Sequence, residues 1–181
     1  MTYKHRLTTA GFPRSGNVFL NFALKELYFK EEVFEQSHMV LTLKENPHSF
    51  VPIRNPEDAI ASWNLAQKGL PLGSNLDDDI KFYIRFHTYV LENINTLNIM
   101  DFNKFSIDIE YIKNKVYSAT QIEPIKNITI EEIKSSILET GRVHNLPRDN
   151  KDELEIIKNK VIDHLQFGQC KDLYTNILLT Q

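Results

Sequence analysis

The stretch GFPRSGNVFL, Gly11 to Leu20, decides how the chain is read. Its glycines stand five positions apart, the spacing of G-x-x-x-x-G-K-[ST], in which a glycine turn opens a helix and backbone amides cradle a phosphate. The ending differs, because Asn17 and Val18 occupy the places of the lysine and the hydroxyl residue. In a nucleoside-triphosphate loop that lysine reaches the β- and γ-phosphates and the hydroxyl binds Mg²⁺. Asn17 brings no charge and Val18 no oxygen. What remains is a turn, a helix N-terminus with free N–H groups, and a cation, Arg14, inside the loop. Free amides and the helix dipole favour an anion without a metal. The guanidinium of Arg14 adds a planar fork of donors suited to phosphate or sulfate. These residues describe a metal-free anion cradle, and a helix start with an exposed arginine and no ligand is the plainer alternative.

The flanks suit a cradle. RLTTAGF (Arg6–Phe12) is a short β-prone run that ends in Gly and Pro, a strand entering a turn. From Asn17, apolar residues recur at helical spacing through GNVFLNFALKELYFK. EVFEQSH (Glu32–His38) and HSFVPIRN (His48–Asn55) read as the next strands, and PEDAIASWNLAQKG as a helix with Pro at its start and Gly at its stop. LDDDIKFYIRFHTYVLENINTL reads as a long amphipathic helix whose early aspartates, Asp77 to Asp79, favour its N-terminus. NIMDFNKF (Asn98–Phe105) reads as another core strand. IDIEYIKNKVY and ITIEEIKSSIL read as helices, TGRVHNLPRDN as a polar loop, and the chain from Lys151 as helical to the end. Strands alternating with helices predict a parallel sheet covered by helices.

A second segment, VPIRNPEDAIASW (Val51–Trp63), places Arg54 at a strand end and Ser62 eight residues on, along the next helix. Both can converge on a further phosphate at the sheet edge where ligands bind in open α/β sheets. Taken alone, R-N-P-x-D is no more than a strand-to-helix turn.

The two segments in this order resemble the PAPS-dependent sulfotransferases, PAPS being 3′-phosphoadenosine 5′-phosphosulfate. The first loop of that family reads like P-R-S-G-T in many bacterial members, and here it is Pro13-Arg14-Ser15-Gly16-Asn17-Val18-Phe19. The second reads like R-N-P-x-D-x-x-x-S, and here it is Arg54-Asn55-Pro56-Glu57-Asp58 with Ser62 in place. The resemblance implies a three-layer α/β/α fold with a central parallel sheet, P-loop NTPase-like, with residues 1–181 as one compact domain. It implies Arg14 at the 5′-phosphosulfate, with backbone amides from Ser15, Gly16, Asn17 and Val18 holding that group. Arg54 and Ser62 fall at the 3′-phosphate. Phe19 stands where the family often has a Trp near adenine, so it stacks there or faces the core. PAPS is then the donor and PAP, 3′-phosphoadenosine 5′-phosphate, the product.

Sulfuryl transfer to a hydroxyl needs a proton acceptor, and a histidine near neutrality suits it. The family carries one at the end of the strand between the two motifs, which points to His38 in Gln36-Ser37-His38. A surface or core histidine is the plainer reading. Glu35 is the reserve base. The family lysine two positions before the histidine is Gln36 here, so one sulfate contact is either missing or supplied by Lys44. A late basic segment often returns to the 3′-phosphate; Gly141-Arg142-Val143 is the candidate, with Arg148 beside it. The family's G-x-x-G-x-W continuation is missing. The resemblance implies a small-molecule or carbohydrate acceptor bearing a hydroxyl or an amine, and the sequence leaves lipid and peptide hydroxyls open as well. The resemblance is clear over residues 6 to 63 and vague beyond. The rival readings are a small-molecule kinase with a divergent loop and a PAP-binding module without turnover.

The totals set bounds. The chain has 181 residues, 41% hydrophobic and 25% charged, an ordinary globular balance. A net charge of −3 argues against nucleic acid or an anionic membrane as the main partner, so any anion site is a local concentration of donors. One cysteine, Cys170, rules out an intrachain disulfide and suits a reducing, cytoplasmic setting. No signal-peptide pattern is read at the N-terminus, and no apolar run reaches the ~18 residues of a membrane span. His5, His48, His87, His144 and His164 are scattered and fit no metal-ligand spacing, so no metal site is expected.

Overall fold

A computed structural model describes residues 7–28, 33, 37–38, 40–46, 48–68, 70, 73–140 and 151–181. Helices make up most of the described chain, with a small parallel sheet, an α/β architecture. The helices are α1 (Asn17–Leu27), α2 (Val40–Glu45), α3 (Pro56–Gln67), α4 (Leu76–Glu92), α5 (Phe102–Phe105), α6 (Ile109–Thr120), α7 (Ile130–Glu139), α8 (Lys151–Ile162) and α9 (Phe167–Leu179). The strands are β1 (Phe50–Ile53) and β2 (Asn98–Asp101), paired in parallel with Val51 opposite Ile99 and Ile53 opposite Asp101.

Residues 7–10 extend the sheet through single bridges. Thr9 bridges Phe50, while Leu7 and Ala10 bridge Val33 and Ser37, all in parallel. The first extended segment therefore has the second on one side and β1 on the other. The loop leaving its C-terminal end opens at a topological switch point, where α/β sheets place their ligands. Pro52 sits within β1 and has no N–H to donate. Phe50 donates to Thr8 O and accepts from Ala10 N, so the N of residue 52 faces the same neighbour one step further on. There the neighbouring chain is already turning at Gly11, and no described bond of the pairing is lost.

Strand alternation feeds two separate cores. Val51, Ile53, Ile99 and Ala10 pack with Ala59, Ile60 and Ala61 of α3, Ile80, Tyr83 and Phe86 of α4, and Cys170 of α9. Phe50, Met100 and Leu7 point the other way, toward Leu20, Leu24 and Leu27 of α1, Ile112 of α6 and Ile133 of α7. Cys170 is buried, and burial pushes its thiol up to about 12.

One expectation from sequence is corrected and two are refined. NIMDFNKF is not one strand to Phe105: β2 stops at Asp101, whose carboxylate accepts from Asn103 N and caps the short α5. The segment from Lys151 is two helices, broken between Ile162 and Phe167. The aspartate run does more than start α4. Asn75 caps that helix by accepting from Asp78 N, whereas Asp79 is buried and accepts from Asn64 (2.8 Å) and Gln67 (3.0 Å) on α3 and from Ser74. The six-residue α2 carries no strong signal in the sequence. Arg142 and Arg148 lie outside the described residues, as do Glu35 and Gln36. Among the described residues no helix is long and apolar enough to cross a membrane.

His87 sits in the core beneath the loop. Its ring stacks on Tyr83 at 3.8 Å, and its Nδ1 lies 2.9 Å from Tyr83 O. Burial, only partly offset by that hydrogen bond, lowers its pKa from 6.5 to about 4. The unfolded chain therefore binds the proton more readily than the folded one. The stability from a neutral His87 is complete above pH 6.5 and is lost progressively as pH falls toward 4, by about 3 kcal/mol. His87→Phe should flatten the dependence of urea-unfolding free energy on pH across that window, and an unchanged slope would show that His87 does not set it.

Candidate functional site

The loop after the first extended segment is built by a turn. Ser15 N donates to Phe12 O at 3.2 Å, closing Phe12-Pro13-Arg14-Ser15, and Arg14 has φ 65°. Pro second and a left-handed residue third is the signature of a type II turn, a position that favours glycine. An arginine there carries backbone strain of about 1–3 kcal/mol. Its side chain is held: Arg14 Nε donates to Ser62 Oγ at 3.0 Å. Arg54 Nη1 donates to the carbonyl of Arg14 at 3.2 Å. The two sequence segments, 40 residues apart at the arginines, are thus cross-tied at the sheet's C-terminal edge.

Both loop glycines are required, for different reasons. A Cβ on Gly11 would lie 2.8 Å from Pro52 O and 2.7 Å from Asn17 Oδ1. Gly16 has φ 92°, and a Cβ there would lie 2.6 Å from the ring of Phe102. Gly16 opens α1 without any side-chain cap, and the first turn of α1 holds no acidic residue. The first bond of α1 recorded from the loop runs from Leu20 N to Gly16 O, so the amides of Asn17, Val18 and Phe19 precede the helical ladder. By contrast Asp108 caps α6 and Thr129 with Glu132 forms a capping box on α7.

Asn17, in the lysine position, turns inward. Its Nδ2 donates to Phe12 O at 2.8 Å and to Gly11 O at 3.2 Å, latching the loop from within. His38 approaches the same carbonyl, with Nδ1 2.9 Å from Gly11 O. A carbonyl partner at that distance requires a proton on Nδ1, which leaves the lone pair on Nε2. Asn17 Nδ2 also lies 3.4 Å from His38 Nδ1, but its protons are already directed at the two carbonyls.

Arg54 lies over the Phe102 ring at 4.6 Å, and Tyr83 donates its hydroxyl proton to Arg54 O at 3.0 Å. Burial lowers the Arg54 pKa, and the charge of Asp58 opposes that. Asp58 stands 3.8 Å from Arg54 Nη2 and 2.5 Å from Lys158 Nζ of α8. Burial raises the Asp58 carboxyl, but the Lys158 hydrogen bond and the Arg54 charge outweigh it, and the net pKa is lowered. Further along the edge the sign changes: burial, with Asp101, Glu57 and Asp58 nearby, pushes Tyr174 up to about 12. Among the described residues the cations gathered here are Arg14, Arg54 and Lys158.

Arg14, Ser15, Gly16, Asn17, Arg54 and Ser62 come together, with His38 on the other flank of the loop. Ser62 meets Arg14, where the sequence pattern pairs it with Arg54. Phe19 is half-buried and packs toward Phe105, 6.1 Å between ring centroids. Lys44 lies 5.7 Å from the ring of Tyr89. Asp58, Phe102 and Lys158 join the site without being sequence candidates for it. Asp58 had a signal, since it follows Arg54 at i+4. Lys158 had none, because only the packing of α8 on α3 brings it there. Two cavities of about 390 and 240 Å³ lie elsewhere. The larger is lined by Glu26, Glu131, Glu132 and Glu139 with Lys126, an acidic wall that repels a polyanion. Among the described residues no group of three His, Cys, Asp or Glu is placed to hold a metal ion.

Comparison with family models, with curated proteins and with solved structures finds no match to this chain.

Asn17→Asp keeps the shape but replaces a donor with a carboxylate facing two carbonyl oxygens. It should lower the urea-unfolding free energy at neutral pH by about 2–4 kcal/mol. A loss below about 0.5 kcal/mol, the size of an ordinary surface change, would show that the latch is not a structural element of the loop.

Proposed function

We propose that this chain is a PAPS-dependent sulfotransferase with the three-layer α/β/α, P-loop NTPase-like fold of that family, acting in the cytoplasm. The carrying observation is the cross-tie: Arg14 Nε on Ser62 Oγ and Arg54 Nη1 on the Arg14 carbonyl. Two motifs that resemble the family's 5′- and 3′-phosphate segments in sequence meet in space at the edge where such a ligand binds.

The residues suit a bisphosphorylated nucleotide. The uncapped amides at the start of α1 and the Arg14 guanidinium form a seat for the 5′-phosphosulfate. Arg54 provides a second cation for the 3′-phosphate. A kinase reading is weaker, because Asn17 spends its side chain on the Gly11 and Phe12 carbonyls and Val18 offers Mg²⁺ no oxygen.

In the proposed reaction, His38 Nε2 takes the proton of an acceptor hydroxyl, or of an amine. The acceptor atom forms a bond to sulfur. The bond between sulfur and the bridging oxygen breaks, and its electron pair stays on the 5′-phosphate of departing PAP. Arg14 and the α1 amides face the charge that grows there, and preorganised donors of this kind usually give the largest rate contribution. The acceptor is a small molecule or carbohydrate.

Transfer from radiolabelled PAPS across a panel of hydroxyl and amine acceptors tests the reading. Wild-type protein should label at least one acceptor. His38→Ala should lower kcat by about 10²–10⁴-fold, with PAP affinity changed by less than about threefold, since His38 contacts the loop carbonyl and not the cations. PAP binding without turnover on any acceptor would make this a binding module, and full activity of His38→Ala would remove the base.

A further inference from the structure

Arg54 presents an unused edge. Its Nη1 is committed to the Arg14 carbonyl and its face to Phe102. Its Nε is buried with no hydrogen-bond partner, and Nη2 reaches Asp58 only at 3.8 Å, too far for a hydrogen bond. Nε and Nη2 form the side-on fork with which arginine grips a phosphate through two parallel bonds. A carboxylate one helical turn away is the natural occupant of that fork, and a shift of about 1 Å would seat it. Asp58 is held back, because its other oxygen is bound at 2.5 Å by Lys158, reaching across from α8. Lys158 has a second, looser neighbour, Glu155 at 3.9 Å, which is exposed and competes weakly.

We infer that Lys158 is a positioning residue: by drawing Asp58 toward α8 it keeps the Nε/Nη2 fork of Arg54 unpaired, so that the 3′-phosphate of the nucleotide can take it once the buried Nε is uncovered. The inference rests on the sulfotransferase reading for the identity of the ligand, but the fork itself is a property of the free protein. Asp58 is then an internal competitor for Arg54, and the C-terminal helices take part in binding without touching the ligand. The balance sets selectivity: a second phosphate gains only when the carboxylate is restrained, so an adenylate lacking the 3′-phosphate is indifferent to Lys158.

A double-mutant cycle separates this from direct contact. Calorimetric titration with PAP in EDTA-containing buffer is run on wild type, Lys158→Met, Asp58→Asn and the double variant. Lys158→Met keeps an unbranched side chain of similar length and removes the charge. It should weaken PAP roughly tenfold while leaving adenosine 5′-phosphosulfate unchanged. Asp58→Asn should bind PAP at least as tightly as wild type, and the double variant should regain wild-type affinity. Lys158→Arg should bind like wild type, which guards against a loss from misfolding. Equal weakening by Lys158→Met whether or not Asp58→Asn is also present overturns the inference, because the lysine would then act on the ligand itself. The NMR exchange rate of the Arg54 Nε proton without ligand reads the fork directly. It should fall in Lys158→Met and recover in the double variant, and an unchanged rate likewise overturns the inference. If wild type binds no PAP while that exchange pattern holds, the sulfotransferase reading fails and the Lys158 device stands.

Discussion

Two guanidinium groups are held together at one sheet edge by a backbone carbonyl and a serine hydroxyl. Arg54 donates to the carbonyl of Arg14, and Arg14 donates to Ser62, so both of these ties end on neutral oxygens. Neutral acceptors fix direction without cancelling charge. A carboxylate in either place would have produced a structural ion pair with little field left for a ligand. Beside Arg54, Asp58 is shared with Lys158 and stands 3.8 Å from Nη2. The strained turn at Arg14 follows from the same arrangement, since a left-handed backbone at an arginine directs its carbonyl toward Arg54 while its side chain reaches α3.

The sheet makes this convergence possible. Residues 7–10 have one neighbour on each side, and the loop leaving them opens between those neighbours. β1 ends beside it and delivers Arg54; the second extended segment ends beside it and delivers His38. Packing fixes the depth of the loop. Gly11 rests against Pro52, Gly16 against Phe102, and Asn17 ties the intervening carbonyls. Two cores, one on each face of the strands, hold the helices that complete the edge. Helix α3 supplies Ser62 and Asp58 from the first, and α1 supplies its open N-terminus from the second.

Much of this was legible in sequence where local chemistry decides. Gly11 and Gly16, the helix from Asn17, and Pro56 at the start of α3 follow from turn and capping rules, as does the strand around Val51. The end of β2 did not, because Asp101 acts as a helix cap where the hydrophobic run through Phe105 suggests strand. The burial of Asp79 was hidden for a similar reason: its partners Asn64 and Gln67 lie on another helix. At the site, Arg14, Arg54 and Ser62 were readable from type and spacing, and His38 only through the family resemblance. The inward turn of Asn17, the pairing of Ser62 with Arg14 and the presence of Lys158 were not, since each depends on how distant elements pack.

The central claim is that this edge binds an adenosine bisphosphate without a divalent metal. Isothermal titration of wild-type protein with PAP and, separately, with ATP plus Mg²⁺ addresses it directly, the PAP arm in chelator-treated buffer. The account predicts saturable heat with PAP alone and none of comparable affinity with Mg–ATP. Silence with PAP together with clear binding of Mg–ATP would contradict it.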